Sequence, residues 1–198
     1  MTKRIILAST SSYRASLLRG ASLVFESMAP EVNEVALFDS DPKVTAQIRA
    51  RAKAQSIQIG SGNVVVIGAD QTVSINGRRL DKVHSEDDAR LVLRELSGKD
   101  HFLHSAVCLL TSDQGVIDFC VDVAMSMRKL SDTEIDAYIN SGEWQGSVGC
   151  YKIEGIGINL FSNIGGDQSS IIGLPLLPLL MNLRKLGINP LDDASVSS

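Results

Sequence analysis

The chain has 198 residues, 44% of them hydrophobic and 21% charged, with a formal net charge of −4. That length suits one domain, or two lobes sharing a sheet, and it can bury most of its apolar surface without disulfide staples. The acidic balance excludes a nucleic-acid coat, so any anionic substrate must be met by a local basic cluster.

Residues 4–8 form a short apolar run that predicts a buried strand. Ser9 to Ser12 supply several N-cap candidates for a helix from Tyr13 to Arg19, closed by Gly20. Leu23-Val24-Phe25 predicts a second strand, and residues 29–34 a loop. Pro42 opens a long helix through Gln58, ended by the turn Gly60-Ser61-Gly62. Val64 to Asp70 is the clearest buried strand, and Val73-Ser74-Ile75 continues it to a turn at Asn76-Gly77. Ser85 to Asp88 has the pattern of a capping box, opening a helix with Leu91, Val92 and Leu96 on one face. Two longer β runs follow, near 102–111 and 116–129, joined by Ser112 to Gly115. Ser131 to Glu134 is a second capping box, whose helix ends at Gly142. The glycine-rich stretch 146–166 contains one strand near Ile158 to Phe161. Leu174 to Leu186 predicts a last helix, and the end of the chain a flexible tail over 191–198. Alternating strands and helices followed by two adjacent strands predict an α/β fold with a mixed sheet.

Three places could carry chemistry. The first is Ser9 to Arg14, where a strand feeds hydroxyls and free amides into a helix N-terminus and so makes an anion cradle. A cation in the first turn opposes the macrodipole, so Arg14 is sensible if an anion sits there; the alternative is a capped helix with a solvated arginine. The second is Asp70, at the end of the most apolar strand. A carboxylate there is costly unless it binds metal, accepts hydrogen bonds or faces a cleft, and a turn-capping role is the competing reading. The third is the pair Arg49 and Lys53, four residues apart on one helical face, with Lys82 after a strand and turn. Each suits a phosphate, although each taken alone suits a solvated surface better. Arg51 points elsewhere.

Other chemistries find little support. Cys108, Cys120 and Cys150 lack CxxC spacing, so neither a zinc site nor a disulfide framework is indicated. His84, His101 and His104 have no metal-ligand pattern, and the last two read as strand-edge residues. There is no GxSxG elbow, no Walker lysine-serine pair and no GxGxxG. The apolar run after Arg4 is too short for a signal peptide, and no stretch approaches the roughly 20 residues of a membrane span. A cytoplasmic protein without membrane or nucleic-acid partners is the expectation.

The strings LASTSSYRASLL (7–18), APEVNE (29–34), RARAKAQ (49–55), IGADQTV (67–73), LDKV (80–83), LSGKDH (96–101), GCYKIEGIGINLF (149–161) and IIGLPL (171–176) resemble, in order and spacing, the Maf family of nucleotide pyrophosphatases. The resemblance covers nearly the whole chain. It implies an elongated mixed sheet flanked by helices, with residues 1–190 forming one domain of two lobes around a deep central cleft. It also implies hydrolysis of a nucleoside triphosphate (NTP) to the monophosphate (NMP) and pyrophosphate with Mg²⁺ or Mn²⁺. Asp70 would be the catalytic carboxylate, Glu34 and Asp70 the metal ligands, and Ser9, Arg14, Arg49, Lys53 and Lys82 the phosphate ligands. Ser12 stands where the family usually has Pro, Ala15 where it has a second Arg, and Val83 where Pro commonly follows the lysine.

Branches of the family differ at positions matching Tyr13, Gln71 and Glu154. The aromatic–Gln–Glu combination is that of the branch acting on 7-methylguanosine triphosphate (7-methyl-GTP), which implies cleansing of modified nucleotides from the pool. A carboxylate can accept from the two donors of a guanine edge, and Tyr13 can stack on the cationic methylated base. The alternatives are the branch acting on dTTP and UTP, and a nucleotide-binding regulator of septum formation with vestigial hydrolysis. Dimers are common among similar proteins, and a homodimer is the expected assembly.

Overall fold

The computed structural model describes residues 3–59, 63–112 and 115–193. Its elements are β1 (Arg4–Ala8), α1 (Ser12–Gly20), β2 (Glu26–Met28), α2 (Pro42–Gln55), β3 (Val64–Ile75), β4 (Arg78–Leu80) and α3 (Glu86–Leu96). These are followed by β5 (Asp100–Thr111), β6 (Gly115–Met127), α4 (Asp132–Asn140), a 3-10 turn (Ile156–Leu160) and β7 (Phe161–Gly165). Three helices close the chain, α5 (Gln168–Ile172), α6 (Leu176–Lys185) and α7 (Pro190–Asp193). Seven strands share one sheet in the order β2-β1-β3-β5-β6-β7, with β4 paired to β3. β2 and β3 run parallel to β1, whereas β4 on β3 and β7 on β6 are antiparallel. The expected mixed α/β architecture is therefore present. The chain forms two compact units, one of Met1–Gln71, Ser105–Val121 and Asp167–Ser198, the other of Thr72–His104 and Asp122–Gly166.

In the first unit β1 and the start of β3 are buried on both faces, which is why they read as continuous apolar runs. The two-residue period of a strand sorts their side chains. Ile5, Leu7, Val65, Ile67 and Ala69 pack with Leu18 of α1 and Leu179 and Leu183 of α6. Ile6, Ala8, Val64 and Val66 pack with Ala46, Ala50 and Ala54 of α2. Gly68 belongs to this second face, and a Cβ there would run into the backbone at Ala50 and Ala54. A glycine on the strand and alanines on the helix thus let α2 lie unusually close to β3.

In the second unit Leu93 and Leu96 of α3 and Ile135 and Ile139 of α4 are at most 1% exposed. Ser131 and Glu134 form the predicted capping box in full. The one at Ser85 is half formed: its hydroxyl accepts from the Asp88 amide. Asp88 is one methylene shorter than the glutamate of the motif, and its carboxylate instead accepts from the Ser85 hydroxyl.

Several expectations are corrected. The second strand lies at Glu26–Met28 rather than 23–25, because Leu23 turns inward to join the core. The buried stripe of α3 is Ala89, Leu93 and Leu96, and Leu91 is 61% exposed. The strand placed near Ile158 is a 3-10 turn, with β7 beginning only at Phe161. The predicted last helix is present as α6, and an unexpected short helix, α5, precedes it, the two separated where Gly173 adopts a left-handed φ of 103° and Pro175 follows. Helix α7 occupies the start of the expected tail, while residues 194–198, the 60–62 turn and residues 113–114 lie outside the described residues. His101 and His104 are not edge residues, since β5 lies between β3 and β6. Cys108, Cys120 and Cys150 are free thiols. Cys108 and Cys150, one in each unit, are fully buried, and burial raises both, Cys150 to about 11.

His101 is fully buried, and its Nε2 lies 2.8 Å from the Tyr151 hydroxyl. Burial pulls its pKa down to about 4, against an opposing pull from Asp100 and the Lys99 backbone. An unfolded histidine titrates near 6.5, so the unfolded chain binds more protons between the two values. The contribution is whole above about pH 6.5, is lost as pH falls towards 4, and amounts to roughly 3 kcal/mol. Urea unfolding of the wild type should therefore weaken over that window more steeply than that of His101→Phe. Equal slopes would show that His101 does not enter the folded state neutral.

Candidate active site

The arrangement around Asp70, Arg14 and Gln71 lies in the first unit. β1 ends at Ala8 opposite Gly68, so Ser9 leaves the sheet where β3 carries on towards Asp70. Asp70 is thus within its strand rather than at its end, beside the end of β1. Two residues on from Gly68, it faces α2, and Lys53 answers it from the helix: Nζ donates to Asp70 Oδ1 at 2.6 Å and lies 2.9 Å from Glu34 Oε1. Lys53 and Asp70 are only 6% and 5% exposed. A buried ammonium is tolerated because it is paired, and the alanine seam of α2 gives its stem an apolar bed. The second carboxylate oxygen of Asp70, Oδ2, is buried and has no hydrogen-bond partner among the described residues. A buried acceptor left open beside a cation has room for a further partner.

Helix α1 brings the second cation. Ser11 is its N-cap, accepting from the Arg14 amide, and Ser9 Oγ accepts from the Ser11 amide at 3.1 Å. No acidic residue stands in the first turn, as an anion-binding helix end requires. The Arg14 guanidinium donates from Nε to Gly173 O at 3.0 Å and reaches Ser9 Oγ at 3.5 Å. Burial lowers its pKa, and the fields of Asp70 and Glu34 raise it. Ala15 sits in the core with Leu18, so that position contributes packing rather than charge. Tyr13, 48% exposed, presents its ring to solvent one residue before Arg14.

Gln71 points to the opposite face from Asp70. Helix α5 has only five residues, so its last carbonyls have no intrahelical donors. The Gln71 Nε2 donates to Ser170 O and Ile171 O at 3.0 Å and to Ser105 Oγ at 2.6 Å, while Arg14 takes the Gly173 carbonyl. Two side chains of the site therefore serve as the C-terminal cap of α5.

Of the expected residues, Ser9, Arg14, Glu34, Lys53 and Asp70 are connected by hydrogen bonds, an ion pair and mutual fields. Arg49 donates from Nε to Leu37 O at 2.9 Å, fastening the 34–38 segment to α2. Lys82 and Glu154 are exposed residues of the second unit. Arg51 pairs with Asp118.

Glu34 and Asp70 supply hard oxygen donors, and Asp70 Oδ2 is open, which suits a small divalent ion held by one or two carboxylates plus substrate oxygens. No group of three His, Cys, Asp or Glu capable of holding a metal occurs among the described residues. No helix among them is long and apolar enough to cross a membrane.

Sequence reading missed two arrangements. In the second unit His104 lies 2.8 Å from Ser74 Oγ and 2.9 Å from Asp122 Oδ1, the order of a serine-hydrolase relay. Ser74, however, is 4% exposed in the middle of a strand, so its hydroxyl is not presented to a substrate. The other is Ser105, whose link to Gln71 spans 34 residues and leaves no local signature.

The sequence profile of the family described as Maf-like protein matches residues 4–186. A relative from Nitrobacter hamburgensis named nucleoside triphosphate pyrophosphatase is 40% identical over 94% of this chain and 95% of its own. One from Bartonella quintana named 7-methyl-GTP pyrophosphatase is 42% identical over 95% of this chain and 98% of its own. Among solved structures, a HAM1 protein from Coxiella burnetii aligns with a TM-score of 0.45 and 16% identity, covering 64% of this chain and 73% of that one. By the extent of the profile match and of these identities, the chain belongs to the Maf family.

Proposed function

We propose that this chain hydrolyses the α–β phosphoanhydride of nucleoside triphosphates, releasing NMP and pyrophosphate, with 7-methyl-GTP as the preferred substrate. The observation that carries the reading is the buried Lys53 between Glu34 and Asp70, next to Arg14 at a helix N-terminus. Anhydride hydrolysis needs charge neutralisation around phosphorus and a carboxylate beside the attacking water. Lys53, Arg14 and Ser9 Oγ supply donors to phosphate oxygens. Asp70 Oδ2 can take the proton of the water, since no described residue occupies that oxygen. Asp70 and Glu34 would also hold a divalent ion, which when bound neutralises phosphate charge and acidifies water. Arg49 and Lys82 are assigned to phosphate by their motif positions.

The base preference rests on Tyr13, Gln71 and Glu154, and several relatives, from Bartonella quintana and Rhizobium meliloti among others, are named 7-methyl-GTP pyrophosphatase. Glu154 offers acceptors only, which suits a guanine edge and repels the carbonyls of uracil or thymine. A glutamine in its place could donate to one carbonyl and accept from the N–H between them. With Mg²⁺ or Mn²⁺ the products should be NMP and pyrophosphate, EDTA should abolish turnover, and the wild type should favour 7-methyl-GTP over UTP by more than about tenfold. Glu154→Gln combined with Gln71→Thr should lower that ratio, measured as kcat/KM for both substrates. Release of NDP and orthophosphate would overturn the pyrophosphatase reading; a wild type preferring UTP, or a ratio unmoved by the swap, would overturn the base assignment.

A further inference from the structure

Gln71 is assigned above to base choice, and its side chain has two N–H bonds and three acceptors around them. Ser105 Oγ donates its own hydrogen to Ser170 O at 2.6 Å, so towards Gln71 the hydroxyl can only accept. One N–H of Gln71 goes to that hydroxyl, and the other is shared by the carbonyls of Ser170 and Ile171. Ser105 is fully buried on β5, and the two carbonyls belong to the end of α5, so none of the three acceptors can exchange its role. A flipped amide would set its oxygen against two carbonyl oxygens and a hydroxyl whose hydrogen is already spent. The orientation is therefore fixed by chemistry, and Gln71 Oε1 accepts no hydrogen bond from any described residue.

We propose that Ser105 is a positioning residue for substrate choice: by locking the Gln71 amide it makes Gln71 an acceptor-only group, which selects a nucleotide presenting an N–H or NH₂ donor. This rests on the pyrophosphatase reading and deepens it. Ser105 touches no substrate and acts through Gln71. Removing its hydroxyl leaves one Gln71 N–H without an acceptor and Ser170 O with only its share of the other Gln71 N–H, so the amide can rotate or flip. Discrimination against bases that set a carbonyl opposite Gln71 then weakens.

A double-mutant cycle with an independent structural readout tests this. In Ser105→Ala the kcat/KM ratio of 7-methyl-GTP to UTP should fall at least about fivefold, the change lying in KM rather than kcat. Gln71→Met should lower the ratio at least as far, and adding Ser105→Ala to it should change nothing more. In NMR of nitrogen-labelled protein the Gln71 side-chain protons should exchange slowly in the wild type and rapidly in Ser105→Ala. Ratios that fall additively, a ratio unmoved in Ser105→Ala, or a wild type that cleaves NTPs without base preference would each overturn the inference. If no nucleotide yields pyrophosphate, the pyrophosphatase reading fails, and the NMR arm still decides: unprotected Gln71 protons in the wild type overturn the lock, and protection lost with Ser105 supports it.

Discussion

Asp70→Asn should lower kcat by about 10²-fold or more while leaving a folded protein. An asparagine keeps the shape and can still accept from Lys53, but it cannot take a proton from water or balance a cation. Lys53 would retain Glu34, 2.9 Å away, so the buried ammonium is not stranded and the fold survives. A cost of about 1–3 kcal/mol is expected from the weakened pair, read as a Tm lower by several degrees. Pyrophosphate release under saturating substrate, with circular dichroism as the check on folding, measures both. Near-normal turnover would make Asp70 a structural partner of Lys53 and nothing more, and an unfolded variant would put its role in the core.

Gly68→Ala should be nearly as damaging although it adds one uncharged methyl. That methyl would meet the carbonyl oxygen of Ala50 and the amide of Ala54, which are backbone atoms that no rotamer change can move. Helix α2 has to back away, and overpacking of this kind costs about 1–3 kcal/mol and sometimes more. Lys53 lies between those two alanines, so its 2.6 Å bond to Asp70 opens as the helix shifts. A displacement near 1 Å in a catalytic group can cost about 10²-fold in rate. Gly68→Ala should therefore lose both Tm and kcat/KM, and Ala54→Gly should not rescue it, because the Ala50 carbonyl remains in the way. Wild-type activity in Gly68→Ala would mean that Lys53 and Asp70 work without their close approach.

How much of this could be read in advance follows from how far apart the interacting residues are. The apolar run before Asp70 and the hydroxyl-rich entry to α1 are local patterns, and they located the strand and the helix end correctly. Arg14 stood out because its charge is wrong for its place in a helix, and the structure ties it to Gly173 O and Ser9. The joining of Glu34, Lys53 and Asp70 needs α2 to pack on β3, which the sequence announces only through Gly68 and three spaced alanines. Helix α5 escaped notice because five residues with two serines carry no periodicity, and tertiary partners cap it. The Ser74, His104 and Asp122 chain arises from strand register, which no spacing in the sequence encodes.

Each unit carries one sealed thiol. Alkylating reagents attack thiolates, and Cys108 and Cys150 are both shut away from water and held in the protonated form. A reagent meets Cys108 or Cys150 only when the structure around that thiol opens, while half-buried Cys120 is reached in the native state. Labelling rates at the three positions thus report the opening around two sealed thiols, one in each unit, with no probe introduced.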